Sequence, residues 1–178
     1  MLVAQGTKRL NGKIRIDASH IERRRRDVAR QIALLRPHLG LESVVLDVGC
    51  GDCALARRLA GEVERVYALE VSEDLMGRLG GPPNLVRMVY DGVRIPVPEA
   101  SADLAYSGRL VLSQLAGVCR AMKDGGVFWS SARGAAAEVR AALLDAGFSA
   151  VRFYVGRVRV PYLLARLLED VFRVAAVK

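Results

Sequence analysis

The segment VVLDVGCGDCA, residues 44–54, constrains this chain more than any other. Its apolar run ends in Asp47, with Gly49 and Gly51 close behind. A short run of branched apolar residues reads as a strand buried on both faces. Two near-adjacent glycines let the backbone reverse tightly and let a ligand come close to it. The residues from Ala54 onward read as a helix, whose first amides have no partner within the helix. Strand, glycine turn and helix in that order open a nucleotide-binding α/β unit. Gly49, Gly51 and Ala54 also satisfy the G-x-G-x-x-G/A form of dinucleotide binders, so the turn alone does not choose the nucleotide.

The chain continues in the same alternation. Further strands are expected at 63–70, 85–90, 102–107, 127–131, 150–155 and 171–177, after the first at 43–48. Helices are expected at 54–60, after a Ser72 cap, at 110–122, and at 135–146 before Gly147. Strands alternating with helices imply a sheet covered on both faces. The predicted fold is α/β: a Rossmann-like, mostly parallel seven-stranded sheet flanked by helices, with an N-terminal helical extension. In the extension, Ser19 and Glu22 have capping-box spacing. Ile21, Val28, Ile32 and Leu35 follow at near-helical intervals, and Pro37 and Gly40 end the helix. Residues 1–39 thus form an arm and helix, and residues 40–178 the main domain. Leu163, Leu164, Leu167 and Leu168, with Tyr162, form an amphipathic stretch suited to the sheet or to a second subunit, so a homo-oligomer is kept open.

The 178 residues suffice for one domain with a core, and 52% of them are apolar. No apolar stretch approaches the length needed to cross a bilayer, and residues 1–13 lack the apolar centre of a secretory signal. A soluble cytoplasmic protein without a membrane partner is the expectation. The net charge of +8 favours anionic partners but does not select among them. Arg23 to Arg26 form a basic run that reads as a solvated helix face, with phosphate contact as the alternative. Cys50 and Cys53 make a C-x-x-C. A zinc site needs about four ligands, and no second pair exists, so no metal is expected. The two cysteines read as small side chains in a turn, with a redox pair as the alternative.

Two acids sharpen the turn's meaning. Glu70 ends the second strand, about 20 residues beyond the turn, where a carboxylate can accept both hydroxyls of an adenosine ribose. Asp47 lies just before the first glycine. A carboxylate there suits a cationic ligand group and opposes a pyrophosphate.

The stretch VVLDVGCGDCALARRLAGEVERVYALEVSEDL resembles the nucleotide-binding half of class I S-adenosylmethionine-dependent methyltransferases. YDGVRIPVPEASADLAYS resembles the family's passage from the third strand's acid into the fourth strand. LAGVCRAMKDGGVFW resembles its helix, turn and fifth strand. LLDAGFSAVRFYVG and RVAAVK resemble its last two strands. The likeness covers residues 40–178. It implies S-adenosyl-L-methionine as cofactor, held by Asp47, Gly49, Cys50, Gly51, Glu70, Val71, Asp91, Gly92 and Ser107. In the family the acid at Asp91 faces the adenine amino group, and the fourth strand, here ending in Tyr106 and Ser107, presents the methyl.

The chain departs from the family pattern in two loops. Residues 107–114 and 130–134 are short where members carry a roof over the acceptor. The Glu-His pair common after the fourth strand is missing; His20 and His38 are the only histidines. Candidates on the acceptor side are Tyr106, Ser107, Arg109 and His20. The acceptor is unidentified, with a small molecule ahead of RNA or protein. With both loops short, residues 1–38 are expected across the pocket mouth, Asp17 and His20 nearest to it. Two other readings stay open: a non-catalytic cofactor-binding subunit acting through a partner, and a nicotinamide-dependent oxidoreductase.

Overall fold

Strands apolar on both faces must be covered on both faces, and the molecule is built around that requirement. The computed structural model describes residues 9–10, 13–14, 18–76, 80–165 and 172–178. Its main sheet holds β1 (Val44–Val48), β2 (Arg65–Glu70), β3 (Leu85–Val89), β4 (Ala102–Ser107), β5 (Met122–Ala132), β6 (Ala150–Val155), β7 (Val158–Val160) and β8 (Phe172–Val177). Their spatial order is β3-β2-β1-β4-β5-β8-β6-β7. Strands β3 to β5 in that order run parallel, whereas β8 lies antiparallel to both β5 and β6. A separate two-residue ladder pairs Arg9–Leu10 with Lys13–Ile14. The Asn11-Gly12 turn signal between them lies outside the described residues.

Helices α1 (Ala18–Leu35) and α2 (Ala54–Leu59), with α3 (Glu73–Met76), cover one face; α4 (Leu115–Ala121), α5 (Ala136–Asp145) and α6 (Tyr162–Ala165) cover the other. The period-two alternation of the strands sorts their side chains between the two faces. Val45, Leu104, Tyr106, Trp129 and Ala175 pack with α1 and α2. Leu46, Val48, Ala105, Phe128, Val174 and Ala176 pack with α4 and α5. The sheet order reverses between β1 and β4, and open α/β sheets hold ligands at the carboxyl end of such a switch point.

Eight strands stand where seven were expected. The addition is β7, which folds back on β6 as a hairpin. Gly156, with φ +63, supplies the backbone conformation that such a two-residue turn needs at its first central position. The segment expected as one helix over 110–122 opens instead with a 3-10 turn at Leu112–Gln114. The 124–126 turn is a bulge inside β5, marked by a register shift against β4. Helix α1 already includes Ala18, so Ser19 lies within its first turn and not ahead of it. Asp17, Leu167 and Leu168 are outside the described residues. Tyr162 packs at 5.8 Å from the Phe153 ring, with Arg140 over its own ring, so α6 is seated on β6 and α5.

Asp103, readable from sequence as a strand-entry residue or as a functional acid, is the former. Its carboxylate accepts the Val44 amide at 2.8 Å and pairs with Lys123 at 2.8 Å. It ties the entries of β1, β4 and β5, at the edge opposite the glycine turn.

Phe128 is 1% exposed and lies 5.7 Å from the Phe148 ring. Phe128→Ala should lower unfolding stability by about 3–5 kcal/mol, the range for a large aromatic lost from a core. Urea denaturation followed by circular dichroism measures it; a loss under about 1 kcal/mol would place Phe128 outside the tightly packed core.

Candidate functional site

At the carboxyl edge, β2 shapes the turn that follows β1. The Leu69 carbonyl accepts the amides of Gly49 at 2.8 Å and Cys50 at 2.9 Å. The Glu70 carboxylate takes the next amide, Gly51, at 2.8 Å through Oε2, and the amides of Val71 and Ser72 through Oε1. Gly49 and Gly51 have φ of +74 and +57, a conformation that glycine adopts without a Cβ penalty. A Cβ built on Gly49 would meet nothing within 4 Å, so open space lies over the turn. The Ala54 amide is taken by Asp52. The expectation of free amides in this region is therefore revised. The turn's amides hold its shape and leave open space over Gly49, with the acids beside it.

Asp47 stands opposite Ala68 on one side and Tyr106 on the other. It is 2% exposed, and its Oδ2 has no hydrogen-bond partner. Burial disfavours its charged form and raises its pKa from 3.8 to about 7. A buried carboxylate oxygen without a partner is costly in an isolated domain and complementary to a cationic donor. Arg24, a cation whose charge acts on Asp47, is engaged elsewhere. It leaves the basic run of α1 to pair with Asp52 at 2.5 Å, and that contact holds its guanidinium above the ordinary value.

Asp91 follows β3 and folds its Oδ1 onto the amides of Val93 and Arg94 at 2.8 and 2.7 Å, which lowers its pKa. Gly92, φ +82, faces Val71: a Cβ on it would lie 3.2 Å from Val71 Cγ1. The buried Gln114 donates to the Gly92 carbonyl and the Tyr90 hydroxyl, both at 2.8 Å. Burial pushes the Tyr90 phenol above its usual value. Glu70, Val71, Asp91 and Gly92 thus border one stretch of the edge, with Asp47 and the glycine turn at the other.

The acceptor candidates are dispersed. Tyr106 points to the α1 face, where its hydroxyl accepts from Gln31 at 2.9 Å; burial raises its pKa. Ser107 is buried and donates to the Arg109 carbonyl at 2.7 Å. Arg109 is exposed. His20 lies on α1, but its side chain is outside the described residues. Helix α1 meets the site through Arg24 at the turn and Gln31 at the end of β4. Gln31 and Gln114 are side chains that sequence reading did not select, and Arg24 was read only as part of a basic run. Their partners lie tens of residues away, with no local signal to join them.

Residues 46–130 match the model of a methyltransferase domain family. Over 75 residues the chain is 43% identical to the "Probable ribosomal RNA small subunit methyltransferase A" of Pyrobaculum aerophilum, a match covering 41% of this chain and 32% of that protein. An S-adenosylmethionine-dependent methyltransferase of Mesorhizobium loti superposes with a TM-score of 0.66 at 19% identity, over 85% of this chain and 99% of that one. A chain from the complex between the Haloferax volcanii Trm112 methyltransferase activator and a methyltransferase superposes with a TM-score of 0.65 at 16% identity, over 90% and 94% of the two chains. No described helix is long and apolar enough to cross a membrane. Among the described residues no group of three or more His, Cys, Asp or Glu is placed to hold a metal ion.

The Asp47 pKa generates a test. Below about pH 4 the carboxyl is protonated in the folded and unfolded chain alike. Between about pH 4 and 7 the unfolded chain releases the proton and the folded chain keeps it, so stability falls as pH rises, then levels off. At ~1.4 kcal/mol per unit the total fall is a few kcal/mol. Asp47→Asn should flatten this slope and be more stable than the parent at pH 8. Denaturation midpoints from pH 4 to 8 measure it, and parallel profiles for the two proteins would contradict it.

Proposed function

We propose that this chain, which belongs to the class I S-adenosylmethionine-dependent methyltransferase family, moves a methyl group from S-adenosylmethionine to a nucleophilic acceptor by in-line displacement. The observation that carries the reading is the buried, unpartnered Oδ2 of Asp47 beside the glycine turn. It suits the ammonium of an amino-acid ligand and no part of a pyrophosphate.

The residues present fit the cofactor. Asp47 would receive its ammonium, Gly49 and Gly51 would leave room for its chain, and Glu70 would accept from its ribose hydroxyls. Val71, whose side chain is largely exposed, and Gly92 would flank the adenine, with Asp91 toward its amino group. The cofactor supplies an electrophilic methyl on a positively charged sulfur. This chain's residues supply position. Ser107 and the residues after β4 line the approach to the methyl, and the gain comes from holding an acceptor aligned at near-contact distance. No general base is assigned, because Tyr106 is turned away onto Gln31 and Ser107 onto a carbonyl.

An anionic acceptor is favoured, with RNA ahead of a small molecule. The net charge of +8 supports it, as does a groove of about 390 Å³ between α1 and α2. Val28 and Ile32 floor the groove, and Arg24, Arg25 and Arg58 stand around it. The local likeness to a protein named as a ribosomal RNA methyltransferase points the same way. The N-terminal residues 1–39 are read as an attached unit that brings α1 to the site. A subunit acting only through a partner is the second reading. It is favoured by the short 107–114 and 130–134 loops and by the likeness to a chain from a complex with a methyltransferase activator.

Calorimetry with S-adenosylhomocysteine and NAD tests the cofactor. S-adenosylhomocysteine should bind and NAD should not. Glu70→Ala should weaken binding by about 1.5–3 kcal/mol, the scale of a charge-assisted hydrogen bond. Binding at pH 6 should release a proton, because the ligand ammonium restores the charged form of Asp47; titrations in two buffers of different ionisation enthalpy detect it. Tight NAD binding, or no proton release, would sink the assignment. Labelled-methyl transfer to total RNA against small-molecule extracts then separates the acceptor classes. Transfer to neither, with binding intact, would favour the partner-dependent reading.

A further inference from the structure

The cofactor turn carries a feature that methyl transfer does not use. Cys50 and Cys53 bring their sulfur atoms to 2.9 Å, and both residues are buried, at 6% and 0% exposure. Cys50 lies between the two glycines, and Cys53 caps the start of α2 with φ +56. A residue with a Cβ is held there against its own preference. With Gly49 and Gly51, three of five consecutive residues are left-handed, and bonds to Leu69 and Glu70, together with the Cys53 amide on the Cys50 carbonyl, keep the turn in shape. The third cysteine, Cys119, belongs to the α4 layer on the other face of the sheet.

We propose that Cys50 and Cys53 form a redox-active dithiol that a hydroperoxide closes into a reversible disulfide, pinning the cofactor turn in the conformation seen here. One thiolate attacks a peroxide oxygen, the O–O bond breaks, and hydroxide leaves as a sulfenic acid forms. The neighbouring sulfur then attacks the sulfenic sulfur and expels a second hydroxide. The two thiol protons convert both hydroxides to water, so two thiols and one hydrogen peroxide give one disulfide and two waters. A hydrogen peroxide molecule is small enough for a nearly closed site, and the second sulfur is already in contact. The two thiols are also unequal, as a nucleophile and its partner should be. The hydrogen bond between them lowers the Cys53 pKa and raises that of Cys50. The bridge needs no rearrangement of the fold, because the four-residue segment already brings the sulfurs together. It would act on the unfolded and opened turn, removing conformations that the folded turn does not use.

The full chain, reduced and then exposed to a small excess of hydrogen peroxide, tests this without any cofactor, so the outcome is separable from the methyl-transfer reading. After denaturation and alkylation, mass spectrometry should show the Cys50–Cys53 peptide lighter by two hydrogens and unalkylated, Cys119 alkylated, and no cross-linked chains. The oxidised protein should melt several degrees above the reduced one, and dithiothreitol should reverse both changes. Cys53→Ser should show neither change under the same treatment. Alkylation of both cysteines, oxidation to sulfinic acid without a bridge, or a bridge to Cys119 would overturn the proposal. So would a bridged protein that melts no higher than the reduced one.

Discussion

The carboxyl end of β2 organises this site. Leu69 and Glu70 take three successive amides of the turn after β1, and through them two strands fix one loop. Those acceptors hold Gly49 and Gly51 in their left-handed conformation. Because Glu70 also receives the amides of Val71 and Ser72, one side chain positions the loops that follow both β1 and β2. A carboxylate so heavily committed to backbone is rigid, and it presents its remaining lone pairs from a fixed place. That is what a ligand with paired hydroxyls requires.

Asp47 is the counterpart in which stability is given up. It is buried and left with an oxygen that no group among the described residues satisfies. A chain evolved for stability alone would carry an asparagine or an apolar residue there. The conflict between local stability and the observed residue is the kind that marks a functional position.

Much of this was legible in the sequence. Most strand boundaries came through to within a residue or two because buried parallel strands are short, apolar and separated by glycine or proline; β5 is the exception, beginning at Met122 and running through the Asp124-Gly125-Gly126 turn signal. Asp47 could be singled out because it lies at the end of a strand just before a glycine turn, and Glu70 because it ends the next strand. Other features were not legible, for two physical reasons. Arg24, Gln31 and Gln114 find their partners across the fold, and nothing in a run of arginines says which one will leave it for Asp52. The first amides of α2 were read as free because an orphan amide is a statement about one helix, and here the Asp52 side chain takes the Ala54 amide. The extra strand β7 was overlooked because three residues, Val158–Val160, are too few for a visible alternation.

The placement of β8 has a consequence for how the molecule assembles. It is inserted between β5 and β6, and β6 and β7 touch the rest of the sheet only through it. Residues 150–160 can close into a hairpin by themselves, but they have no edge to join until residues 172–177 have paired with β5. The parallel half, β1 to β5, needs nothing from that region to form its own ladder. Assembly therefore has a built-in order in which a segment late in the chain locks one slightly earlier, and the strand pairings of greatest sequence separation, such as Val45 with Leu104, belong to the half that can form first. Hydrogen exchange should find the β6–β7 hairpin opening as a unit with β8, while β1 and β4 stay protected.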